Sequence, residues 1–145
     1  MEGQMEGVKI TAAVFDDGDV EELEDLHRRT FPSDAFPDWF LGNWWFARVH
    51  GEAVGFVGTE AHDRQRGPCY LARVGVYWRF AGAGIAKVLV RKALSSARRR
   101  DVAEVWTDTR KNPASANTLI ACGFRQFAPP DPWAFQDSDY WRVKL

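Results

Sequence analysis

The chain has 145 residues, enough for one domain that buries its own core without metal or disulfide support. Nineteen basic residues against twenty acidic ones give a net charge of −1, so it lacks the positive field that holds nucleic acid through its phosphates. No stretch reaches the length of a membrane span, MEGQMEG lacks the basic-then-apolar pattern of a secretory leader, and Cys69 and Cys122 are too few for a disulfide framework or a zinc site. A single domain over 1–145, cytoplasmic and without membrane or nucleic-acid partners, is the expectation.

In chain order, VKITAAVF at 8–15 has strand composition, and Asp16, Asp17, Gly18 and Asp19 can turn the chain and cap a helix. Val20, Leu23, Leu26 and Phe31 then recur near helical spacing, which predicts an amphipathic helix ending before Pro32. His27 lies on it among charged neighbours and is expected at the surface. Residues 33–43 read as a loop with a short second helix, rich in aromatics. WWFARVHGEAVGFVGTEAH predicts two strands joined at His50-Gly51-Glu52, DRQRGP a polar loop, and CYLARVGVYW the longest strand.

From Ala83 to Arg100 the apolar positions Ile85, Val88, Leu89 and Ala93 recur at three and four, predicting one strong amphipathic helix. Its end, Arg98-Arg99-Arg100, reads as a solvated basic turn that suits the helix dipole. EVWTDTR is a strand, NPASANTLIACG a helix closed by glycine, and FRQFA and YWRVKL are two final strands. The order is β-α-α-β-β-β-α-β-α-β-β. This is an α/β fold with a mixed, mostly antiparallel sheet and one central β-α-β crossover.

In RFAGAG, small residues or glycines fill positions 81–84 where the longest strand meets the longest helix. A turn alone needs one glycine. A helix N-terminus also offers unpaired N–H groups and about half a positive charge, and bare glycines let phosphate oxygens come close. The pattern is neither a Walker loop nor a dinucleotide-binding turn, so by itself it leaves a structural turn and an anion site both open.

Arg79-Phe80-Ala81-Gly82-Ala83-Gly84 resembles the acyl-CoA motif of the GCN5-related N-acetyltransferases (GNAT): Arg or Gln, two residues, Gly, one residue, Gly or Ala. The resemblance continues into VRKAL and NPASANTLIACGF, where Asn112, Gly123 and Phe124 match the next motif, and the order of elements agrees over nearly the whole chain. It implies a sheet whose fourth and fifth strands splay, with acetyl-CoA as co-substrate in the gap. It further implies transfer of the acetyl group to a primary amine of a small molecule or protein, by direct attack in a ternary complex, in a monomer or homodimer.

Residue by residue, the resemblance implies backbone contacts to the pantetheine arm from Val74, Gly75 and Val76, and pyrophosphate contacts from Arg79, Phe80, Ala81, Gly82, Ala83, Gly84 and Ile85. Asn112 and Ser115 would reach the cofactor, although Asn-Pro at a helix start is equally an ordinary cap. Leu119 stands where many members carry the tyrosine that protonates the departing thiolate; Tyr140 is the substitute considered. A base is also needed, and Glu60 is the first choice, ahead of His62, Asp108 and Tyr70. Phe31, Phe36, Trp39, Phe40 and Trp44 either bind the acceptor or pack the core. Cys122, without an obvious base, reads as core. Two other readings are a CoA-binding module without turnover, favoured by Leu119, and acetylation of a nucleic-acid-linked amine, with aromatic residues for stacking.

Overall fold

The computed structural model describes residues 7–15, 18–61 and 68–145; Asp16, Asp17 and His62 lie outside the described residues. Among the described residues the strands are β1 (Val8–Ala12), β2 (Gly42–Val49), β3 (Glu52–Ala61), β4 (Cys69–Val76), β5 (Glu104–Thr109), β6 (Arg125–Gln126) and β7 (Asp139–Lys144). The helices are α1 (Asp19–Thr30), α2 (Ile85–Arg99) and α3 (Pro113–Ala121). The strands form one sheet in the order β1-β2-β3-β4-β5-β7-β6, in which β4 and β5, joined through α2, are the parallel pair. The mixed, mostly antiparallel sheet with a central crossover is therefore present. The expected second helix is only a 3-10 turn at Trp39–Leu41, where the Asp38 carboxylate accepts from the Phe40 N–H and Gly42 starts β2.

Both faces of the sheet are covered, and the pleat sorts side chains between them. On one face Leu89, Val90, Ala93, Leu94 and Ala97 of α2 pack on Val57, Leu71 and Val105. On the other, Leu23 and Leu26 of α1 pack on Trp39, Trp44, Phe46 and Phe56. Neighbouring Trp44 and Trp45 thus go to opposite layers and are both buried. Gly58 makes room for Trp44, because a Cβ there would collide with the indole ring.

Acidic Asp19, Glu21 and Glu22 begin α1 and basic Arg28 and Arg29 end it, as the helix dipole favours. His27 corrects the surface expectation: it is fully buried, at 0% exposure. It lies four residues after Leu23, hence on the same helical face, while its charged sequence neighbours lie around the helix.

Candidate active site

Among the described residues β4 and β5 pair only at Cys69↔Val105 and Tyr70↔Trp106. Beyond that, β4 stays with β3 as far as Val76 while β5 stays with β7 to Thr109, so the two strands part. The buried Thr107 hydroxyl donates to the Leu71 carbonyl at 2.9 Å and closes the crotch of the fork. Thr107→Val leaves that carbonyl unpaired and should cost about 1–3 kcal/mol of stability, read as a lower urea midpoint.

A β-bulge prepares the β4 side of the gap. The register steps from Gly58↔Arg73 to Thr59↔Leu71, which makes Ala72 the extra residue. Beyond it, the Tyr77 N–H bonds the Val54 carbonyl at 2.8 Å, and the Gly75 oxygen lies 3.1 Å from where a Gly55 Cβ would stand. Residues 75 and 77 therefore aim their main chain at β3. Alternation turns the main-chain groups of Val74 and Val76 into the gap.

At the outer end a cavity of about 470 Å³ is lined by Val74, Gly75, Val76, Phe80, Ala81, Gly82, Gly84, Ile85, Asn112 and Ser115, among others. Gly82 and Gly84 have φ of 80° and 85°, the left-handed region that glycine enters without strain, and a Cβ on either would meet nothing within 4 Å. The glycines are therefore needed for backbone shape and openness rather than for packing. Gly84 is the N-cap of α2, so the first amides of that helix face the cavity rim. Arg79 is exposed, with its guanidinium 5.3 Å over the Trp78 ring, and Ala83 packs partly inward. Asn112 caps α3 by accepting from the Ser115 N–H at 3.1 Å, so the capping role is realised within the cavity wall.

A second cavity of about 430 Å³ shares Phe31, Val74, Asn112, Ser115 and Thr118 with the first and extends the cleft toward the crotch. Here Tyr70 donates to Asp108, at 3.0 Å to Oδ2 and 3.2 Å to Oδ1, and the Trp133 indole N–H donates to Oδ2 at 3.3 Å. Burial first, then the Asp108 carboxylate, push the Tyr70 phenol far above its ordinary value, so it stays protonated. Trp133 packs edge-on to both Tyr70 and Tyr140 and stacks on Trp106 at 5.9 Å.

Arg73 also lines this cavity and holds its Nη1 2.6 Å from His27 Nε2. Burial, and secondarily Arg73, hold the His27 imidazole below its ordinary 6.5, while Asp34 pulls the other way. The neutral ring accepts from the guanidinium, which leaves Nδ1 buried without a partner among the described residues. An unpaired buried donor costs about 1–3 kcal/mol. Because the folded state disfavours the charged ring, its stabilising effect is complete above pH 6.5 and is lost as the pH falls from there through the lowered native value. Urea midpoints taken between about pH 7.5 and about pH 5 should fall more steeply for the native chain than for His27→Gln, which keeps an acceptor but cannot titrate.

Tyr140 and the aromatic candidates are placed differently from expectation. Tyr140 is buried on β7 and accepts from the Ala134 N–H at 3.0 Å, holding the 133–134 segment rather than lining the cleft. Trp44 and Trp39 are core residues, at 1% and 4% exposure, and line neither cavity. Both faces of the sheet need large side chains, and these two fill the α1 layer. Phe31 lines both cavities, and Phe36 and Phe40 are exposed. Glu60 is the cross-strand partner of Tyr70 but lines neither cavity; burial, then Asp38, raise its carboxyl above the usual range. Leu119 is buried in the wall of the inner cavity, and burial pushes the Cys122 thiol up, consistent with its packing role. Arg73, Thr107 and Trp133 escaped the sequence reading.

The family model described as the acetyltransferase (GNAT) family matches residues 13–124. The N-acetylaspartate synthetase of Rattus norvegicus is 34% identical over 88 residues, 60% of this chain; the match spans less than a third of that protein, 29% of its length. An acetyltransferase from Bacillus subtilis in complex with CoA superimposes with a TM-score of 0.76 at 19% identity, covering 95% of this chain and 99% of that one. A GNAT family acetyltransferase from Elizabethkingia anophelis with acetyl-CoA bound gives 0.78 at 15% identity, covering 97% and 99%. A mixed sheet forked between β4 and β5, with a glycine-led helix at the fork, is the fold of the acyl-CoA N-acyltransferases. The chain belongs to the GNAT acetyltransferase family.

Proposed function

We propose that the protein transfers the acetyl group of acetyl-CoA to a primary amine of a small molecule or protein, by direct attack in a ternary complex. The observation that carries this reading is a pair of adjoining cavities that share Phe31, Val74, Asn112, Ser115 and Thr118, with the glycine-led amides of α2 at the rim of the outer one and the Asp108 carboxylate in the wall of the inner one. Arg79 and the main chain of 80–85 serve the pyrophosphate, and the main-chain groups of Val74 and Val76 meet the arm and polarise the thioester carbonyl. Asn112 and Ser115 shape the opposite wall.

Asp108 receives the proton that the amine must lose, and Tyr70 and Trp133 fix the carboxylate in place. The C–N bond forms as the C–S bond breaks, and the thiolate takes a proton from solvent. A thiolate leaves an acyl carbon without prior protonation far more readily than an alkoxide or amide anion does, which makes Leu119 tolerable. Glu60 acts at a distance, through the Tyr70 environment.

Calorimetric titration with acetyl-CoA and CoA should show one site per chain, and a free-thiol assay with an amine panel should then show turnover. No binding by a folded sample overturns the reading. The name of the rat relative puts amino acids on the panel. A second reading, a CoA-binding module without turnover, is favoured by Leu119; it is the outcome if acetyl-CoA binds and no amine releases thiol.

A further inference from the structure

We infer that Arg73 receives a carboxylate on the acceptor, so that the substrate is an amine that also carries a carboxylate group. The inference rests on the transferase reading above and adds the acceptor class to it. Arg73 and Asp108 line the same cavity of about 430 Å³, a volume suited to a molecule of amino-acid size. Its wall carries Arg73 and Arg110 with Asp34 and Asp108, and with Arg110 engaged by Asp137, Arg73 and Asp108 match a zwitterion, with its amine at Asp108 and its carboxylate at Arg73.

Arg73 is braced but weakly neutralised. Its Nη1 meets His27 Nε2 at 2.6 Å and the Ala35 carbonyl at 3.4 Å, and its guanidinium lies 5.0 Å over the Phe31 ring. Among the described residues the carboxylate within 4.0 Å of it is Asp34, at 3.9 Å and half exposed. The other arginine in this chamber, Arg110, already bonds Asp137 at 2.8 Å, and Arg48 outside it makes a two-pronged bond to Glu22 at 2.7 and 2.9 Å. The hydrogen bonds of Arg73 among the described residues all leave from Nη1, which keeps Nε and Nη2 for a ligand.

Two features show that this placement is built. The Ala72 bulge immediately precedes Arg73, and bulges re-aim side chains next to sites. His27 is fully buried yet spends one ring nitrogen on Arg73 while the other has no partner among the described residues, an arrangement that packing alone would not select. His27 is thus a positioning residue for the guanidinium.

The test pairs α- and ω-amino acids with their own carboxamides, at saturating acetyl-CoA, and reads released thiol. The carboxylate members should lead in kcat/KM by about 10- to 100-fold, expressed in KM. Arg73→Gln should bring that ratio toward one with the acetyl-CoA Kd unchanged, and Arg73→Lys should retain part of it. Carboxamides equal to or better than their acids in the native enzyme overturn the inference without any variant, as does a ratio that survives Arg73→Gln. Turnover confined to carboxamides sinks this inference and leaves the transferase reading standing; bound acetyl-CoA with no turnover of any amine sinks both.

Discussion

Gly82→Val is expected to weaken acetyl-CoA binding by about 100-fold, about 2.7 kcal/mol, in a calorimetric titration of a folded protein. Gly82 sits at φ 80°, where a side chain on an L-residue costs roughly 1–2 kcal/mol. Relaxing that strain swings the amides of the loop away from the ligand, and the branched side chain occupies the approach that phosphate oxygens need. The fold itself should survive, because a Cβ there meets no neighbour within 4 Å and the residue is exposed. The melting temperature therefore separates the two effects: a shift of a few degrees with lost affinity is the expected pair. Retained affinity with an intact fold would remove this loop from the pyrophosphate site.

Asp108→Asn should lower kcat by about 10²- to 10⁴-fold, the range of a general base, with little change in acetyl-CoA affinity. The substitution is nearly isosteric, and the amide oxygen still accepts from Tyr70 and Trp133, so the wall of the cavity stays in place. What disappears is the capacity to hold a proton from the amine. Tyr140→Phe serves as the comparison: it removes one hydrogen bond to the Ala134 N–H outside the cleft and should leave kcat within a few-fold. If Glu60→Gln costs more than Asp108→Asn, the proton acceptor is Glu60 and the Tyr70–Asp108 pair is structural.

The fold was readable because its signals are local. The recurrence of Ile85, Leu89 and Ala93 marks α2, the valine-rich runs mark the strands, and the glycines at 82 and 84 mark the junction, with each signal contained within a few residues. The inner cavity was not readable for the opposite reason. Tyr70 and Asp108 meet across 38 positions, and both had been named without anything to join them. Arg73 reaches His27 over 46 positions, by way of a bulge that no pattern in CYLARVGVYW announces. Trp39 and Trp44 misled differently. Tryptophan is as suitable for a cleft as for a core, and only the presence of helices on both faces of the sheet decides that these two pack inward.

The fork between β4 and β5 gives the sheet an unusual division of labour. β1 to β4 build one wall and β5 to β7 the other, each set consecutive in the chain, and the described ladder between them amounts to two residue pairs. Two panels hung on so short a seam present facing edges along most of their length. A linear ligand arm laid against Val74 and Val76 would then serve as a surrogate strand, completing rungs that β5 leaves open. Occupancy would therefore work as mortar as well as chemistry, and the protein would be most cohesive when loaded and most pliant just after product departs.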